Sequence, residues 1–230
     1  MNTRYDEDQT PLHVASQLGQ LGIVRSLIAR GANPNSENAI KQSPLFMASR
    51  NGNVEITQLL LEHRADVNHP DLENRTPLHE ASEKGHDSVA RLLLRSGANV
   101  DARNVYDWTP LHLASRAGKI AVVQVLLDRG AEVNVQNNSK WTPLHMASRK
   151  GHVEVVQLLL VRNPRVDDEK ADGETALHLA AYYGHLEVVG LLIGHNADRR
   201  IRNNKDKTAL DLARVNGHKH VVPLFEPEFG

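Results

Sequence analysis

Apolar and polar positions along the chain fall into short blocks that return every 33 residues. Each block opens on a Thr/Ser-Pro/Ala-Leu step, at Thr10, Ser43, Thr76, Thr109, Thr142, Thr175 and Thr208. A short apolar stripe follows, as in Leu111, Leu113 and Ala114, and then a glycine such as Gly118. A stronger stripe comes next, as in Val122, Val123, Val125, Leu126 and Leu127, ending at a second glycine such as Gly130. The pattern predicts two helices per block. Threonine is placed to cap the first helix, proline to occupy its first turn, and glycine to close it. The first helix spans about 8–9 residues, roughly 13 Å at ~1.5 Å per residue, too short to persist alone in water. Each block must therefore bury its apolar side against its neighbours, which predicts an all-α repeat solenoid of helix–turn–helix units.

Composition sharpens this picture. The chain has 230 residues, 40% apolar but only 4% aromatic, which suits a thin Leu/Val/Ala seam better than one large core. Small residues at Ala48, Ala81, Ala114, Ala147 and Ala180 permit close helix approach. Seven periods account for the whole chain as a single domain, with approximate repeats 5–37, 38–70, 71–103, 104–136, 137–169, 170–202 and 203–230. The last repeat, with Pro223 among Val221, Val222, Leu224 and Phe225, reads as a degenerate cap. The first, with Leu18 and Leu21, reads as less finished, as in a segment of a longer protein.

The unit Thr142-Pro-Leu-His-Met-Ala-Ser-Arg-Lys-Gly-His-Val-Glu-Val-Val-Gln-Leu-Leu-Leu resembles the ankyrin repeat signature almost residue for residue. The Gly130-Ala-Glu-Val-Asn134 connection resembles that family's hairpin. The resemblance implies a curved stack with a concave face, its units joined by projecting β-hairpin loops. It also implies a protein-binding role, using hairpin tips and first helices. Asn68 and Asn134, each eight residues after a leucine (Leu60, Leu126), match a pattern that in this family can be asparagine-hydroxylated. Three residues depart from the pattern. Arg64, Asn163 and Asn196 stand where a glycine should end the second helix, and the loop from Arg162 to Asp172 is expected to differ in shape.

Catalytic and metal chemistry find little support. The chain has no cysteine, so it has no thiolate ligand, redox pair or disulfide. Nine of the thirteen histidines occupy two repeat positions: His13, His79, His112, His145 and His178 in one, and His86, His152, His185 and His218 in the other. The resemblance assigns both positions to turn and inter-repeat hydrogen bonds, and equivalents a full repeat apart cannot share a metal. His218 and His220 are expected to diverge on a helix. No Gly-x-Ser-x-Gly elbow or phosphate-cradling glycine motif occurs. Neither an enzyme nor a cofactor is expected. With 27 Lys plus Arg against 28 Asp plus Glu, the net charge of −1 disfavours nucleic acid. No run reaches the ~18 apolar residues of a membrane helix. A cytoplasmic or nuclear setting is the expectation.

The positions that break the period without serving the core fall in two clusters, one just before each threonine and one just before each first-helix glycine. Five of the nine aromatics lie there: Tyr106, Trp108, Trp141, Tyr182 and Tyr183. Both tryptophans hold the same repeat position, where other repeats have Gln42 or Arg75. With Arg116, Arg149, Lys150, Arg75 and Lys84 beside them, these residues are the expected partner-binding set, of the types that dominate interface energetics. The expected function is a non-catalytic scaffold or adaptor that binds another protein or peptide on the concave face. The alternative is a regulatory or ligand-sensing segment acting inside a larger receptor, channel or enzyme. A monomer is expected, with weak end-to-end association through Leu18 and Phe225 as a further option.

Overall fold

The computed structural model describes residues 8–226. Helices come in successive antiparallel pairs joined by tight turns: α1 (Pro11–Gln17) with α2 (Leu21–Ala29), α3 (Pro44–Arg50) with α4 (Val54–Glu62), and α5 (Pro77–Lys84) with α6 (Asp87–Arg95). They continue as α7 (Pro110–Arg116) with α8 (Ile120–Asp128), α9 (Pro143–Lys150) with α10 (Val153–Leu160), and α11 (Ala176–Tyr183) with α12 (Leu186–Gly194). The last repeat keeps α13 (Ala209–Val215), but its second helix is reduced to a 3-10 turn, Val222–Phe225. Proline at position 223 cannot donate to a continuing helix, which accounts for the short second element.

Successive first helices pack closely on one another, and successive second helices much less so. The alanine row explains this: Ala15, Ala48, Ala81, Ala114, Ala147, Ala180 and Ala213 are all essentially inaccessible. Packing is thus tighter in the first-helix layer, whose side is the inner face below. Leu12, Leu45, Leu78, Leu111, Leu144 and Leu177 fill the seam between the layers.

Each unit is locked to the next by its histidines. Thr109 N–H donates to His112 Nδ1 (3.1 Å), and the His112 backbone N–H returns to the Thr109 hydroxyl. Because Nδ1 accepts, Nε2 carries the proton, and it donates to the Trp141 carbonyl of the next repeat (2.9 Å). His79 does the same to the Trp108 carbonyl (3.0 Å). Burial pushes His79, His112 and His145 down to about 4, so they are neutral spacers. The second histidine class reaches backward, as His152 Nε2 to the Arg116 carbonyl (3.1 Å). Gly151 shows how tight this is: a Cβ there would lie 2.7 Å from His185 Nδ1, and its φ is +70°.

The expected β-hairpin loops are not formed. Among the described residues there is no strand, and the connections are successive turns. The cause is where the backbone donors go. Asn104 Oδ1 accepts from both Tyr106 N–H (3.0 Å) and Trp108 N–H (2.9 Å), and Asn104 N–H closes on the Trp108 carbonyl (3.1 Å). Asn38, Asp71, Asn137 and Asn203 repeat the arrangement. With those donors taken, one backbone hydrogen bond remains between neighbouring tips, such as Val105 N–H to the Glu73 carbonyl (3.0 Å). A ladder needs pairs of them.

The three residues that replace a second-helix glycine keep its backbone: Arg64 adopts a left-handed φ of 65°, as do Asn163 (50°) and Asn196 (63°). Other expectations are revised. The Arg162–Asp172 loop keeps the backbone turns of the other connections, but α10 ends one residue early and Lys170 replaces the Asn or Asp that closes the turn elsewhere, so Glu174 N–H bonds Asp172 instead. His218 and His220 do not diverge on a helix. They sit in a turn with rings 6.0 Å apart and bond back to the carbonyls of Tyr182 and Gly184. Phe225 is only 8% exposed and belongs to the core, so it offers no end-to-end contact, although Leu18 is 63% exposed.

Candidate functional site

The turns before α7 and α9 set two tryptophans side by side on the inner face. Each has its backbone fixed twice, by the asparagine of its own turn and by the histidine of the preceding repeat. Their side chains are half-buried and flank a cleft of about 650 Å³ whose floor includes Leu113 and Met146. Of the sequence-predicted residues, Arg75, Tyr106, Trp108, Arg116, Trp141, Arg149 and Lys150 line this cleft together. Lys84 does not; it lines a smaller neighbouring hollow with Arg50 and Glu80. Tyr182 and Tyr183 lie beyond the cleft, packed edge-to-face at 4.9 Å, and connect to it through Arg149. Neither Asn68 nor Asn134 lines it. Both are pegs between repeats, Asn68 accepting from Asn99 N–H (2.9 Å) and Asn134 from Arg165 N–H (2.8 Å).

The cations are stacked on the aromatic faces. Arg116 lies 4.5 Å from the centre of the Trp108 ring. Arg149 lies between Trp141 (5.5 Å) and Tyr183 (5.8 Å) and donates Nε–H to the Tyr183 hydroxyl (3.2 Å). Lys170, nearly buried, also lies over Trp141, at 5.0 Å. It is held by Asp172 and by Glu174, the latter at 3.0 Å. Such contacts are each worth about 0.5–1 kcal/mol when exposed and more when desolvated.

Two residues that matter here are absent from the predicted set. Glu80 is only 5% exposed and stands in a row otherwise apolar: Val14, Met47, Leu113, Met146, Leu179, Leu212. Arg75 binds it at 2.6 Å, binds Glu83 at 2.6 Å as well, and Arg50 approaches Glu80 at 3.8 Å. Glu83 also pairs with Arg116. Burial pushes the Glu80 carboxyl above its ordinary value despite Arg75 and Arg50. Burial also opposes ionisation of Glu83, but the hydrogen bond and charge of Arg75, with Arg116, outweigh it and hold that carboxyl low. A charge in an apolar row was the available signal for Glu80.

The ankyrin repeat model matches residues 12–104, 102–170 and 161–227, almost the whole described chain. The chain belongs to the ankyrin repeat family. The crystal structure of the human ASB11 ankyrin repeat domain is similar at 30% identity with a TM-score of 0.88, over 96% of this chain and all of that one. No curated protein matches the sequence. As an ankyrin repeat domain it is a non-catalytic module capable of protein interaction. Among the described residues no cluster of three His, Asp or Glu side chains could hold a metal ion. No described helix is long and apolar enough to cross a membrane.

Proposed function

We propose that this ankyrin repeat domain is a scaffold or adaptor whose partner docks in the inner-face cleft between Trp108 and Trp141. One observation carries the reading. Two half-buried indoles, each under a guanidinium, flank an open cleft over an apolar floor, on backbone held by buried histidines. A rigid aromatic–arginine surface loses little conformational freedom on binding, which favours affinity.

The test compares wild type with the Trp108→Ala/Trp141→Ala variant in affinity capture from lysate, each first checked for unchanged circular dichroism and unfolding midpoint. The expected result is loss of the proteins captured by wild type. Undiminished capture by the folded double variant would falsify the reading.

A second reading, action within a longer polypeptide as a regulatory segment, is favoured by the apolar outer side of repeat one, where Leu18 and Ile23 are exposed. Binding of a separate protein by the isolated domain supports the first reading. Binding only to other segments of its own chain supports the second.

A further inference from the structure

Cations on the inner face divide into those paired with carboxylates and those that are not. Around repeats three and four, Arg50, Arg75 and Arg116 are all engaged by Glu80 and Glu83. One repeat further on, Arg149 and Lys150 are exposed, and no carboxylate of the described residues lies within ion-pair distance of either. The position of Arg149 explains the contrast. Its equivalent one repeat earlier is Arg116, whose own predecessor is Glu83. Arg116 therefore meets an anion and Arg149 meets another cation.

Arg149 is nevertheless held in place. Its guanidinium lies over the Trp141 and Tyr183 rings, and Nε is spent on the Tyr183 hydroxyl. The two terminal nitrogens bond nothing among the described residues, leaving a fixed fork of donors with the flexible Lys150 ammonium beside it. A planar fork is matched by a carboxylate, which accepts two parallel N–H groups. Two repeats earlier along the same cleft stands Glu73, exposed and without an ion-pair partner among the described residues. The floor between them, Leu113 and Met146, accepts an apolar group.

Resting on the docking reading above, we infer that the occupant is an acidic peptide segment. An apolar side chain enters between Trp108 and Trp141, and an Asp or Glu within a few residues of it pairs with Arg149 and Lys150. The complementarity sets the orientation of the segment, with its acidic end at repeat five and away from Glu73. A nucleic acid backbone fits less well, because Glu73 repels phosphate and the other two arginines of the cleft, Arg75 and Arg116, are already neutralised.

The test is selection from a displayed library of random peptides of about a dozen residues, against wild type, Trp108→Ala/Trp141→Ala and Arg149→Glu/Lys150→Glu, all verified as folded. Wild type should enrich sequences with Asp or Glu close to Trp, Phe, Leu or Met. The tryptophan variant should enrich none of these. The charge-reversed variant should keep the apolar residue and exchange the acidic one for Lys or Arg. A synthetic selected peptide should bind the reversed variant at least about tenfold more weakly than wild type, a difference of about 1.4 kcal/mol, and should weaken with added salt. Peptides selected through the tryptophans with no acidic bias, or with a bias that survives reversal, overturn the acidic-peptide inference and leave the docking reading standing. Selection that persists on the tryptophan variant overturns both. Absence of any enrichment overturns the peptide occupant, with the docking reading still judged by protein capture. Replacement of the acidic residue by phosphoserine, if it tightens binding more than about tenfold, assigns the fork to phosphate and overturns the carboxylate.

Discussion

The centre and the end of the stack carry the same motif in different settings. Leu111 and Leu210 occupy one repeat position; the first is inaccessible, whereas the second is partly exposed, with no full helix pair after it among the described residues. His112 and Asp211 likewise share a position. Both complete a capping box with the preceding threonine, but only His112 also bonds the next repeat. The motif's local part, the cap, survives at the end of the array. Its cooperative part, burial and the cross-repeat bond, exists only where a neighbour does. Stability in such arrays is close to a sum of intrinsic and nearest-neighbour terms, so the difference between positions measures the neighbour term directly.

Acid should open the largest gap. His79, His112 and His145 sit near 4 in the folded chain against 6.5 when free. Their lowered values mean that the unfolded chain binds protons first. Their contribution is complete above pH 6.5 and is lost as pH falls from 6.5 toward 4, by up to about 1.4 kcal/mol per pH unit for each histidine. Urea midpoints followed by circular dichroism should therefore drop steeply between pH 7 and 5. A flat profile would mean that the histidines are not held neutral.

Core truncation comes next. Leu111→Ala should cost about 3 kcal/mol and Leu210→Ala about 1 kcal/mol in chemical unfolding. Equal losses would erase the distinction between centre and end. Smaller again, His112→Ala should destabilise by about 2 kcal/mol, since it removes a buried bond at each ring nitrogen. Asp211→Ala should lose only a cap, about 1 kcal/mol. The smallest effect concerns second-helix ends. Gly97 and Gly130 hold the left-handed position in the regular centre, while Arg64 holds it in repeat two. Arg64→Gly should raise the thermal midpoint slightly, by about 0.5–1 kcal/mol of relieved strain. The same change at Asn163 or Asn196 should give less.

The 33-residue period, the helix pairs and the caps were legible because each rests on local signals: threonine, proline, and apolar spacing. The connections are not hairpins, because their form depends on which acceptor takes each backbone donor. The signal for this is local as well, since Asn38, Asp71, Asn104, Asn137 and Asn203 recur four residues before Gln42, Arg75, Trp108, Trp141 and Lys207, a spacing suited to side-chain-closed turns. Seven residues of the cleft lining stood out in the sequence as aromatic or basic breaks in the period. The electrostatics of the cleft did not, because whether an arginine is engaged depends on the residue 33 positions away: Glu83 for Arg116, Arg116 for Arg149.

The self-closed turns have one more consequence. A row of true hairpins would present a sheet edge, on which an incoming segment could extend by main-chain pairing regardless of its side chains. Here the tips spend their main-chain donors internally, so the domain offers no such template for strand addition or for edge-to-edge aggregation. Recognition is left to side chains alone, which can be exchanged one at a time while the backbone that carries them stays as it is.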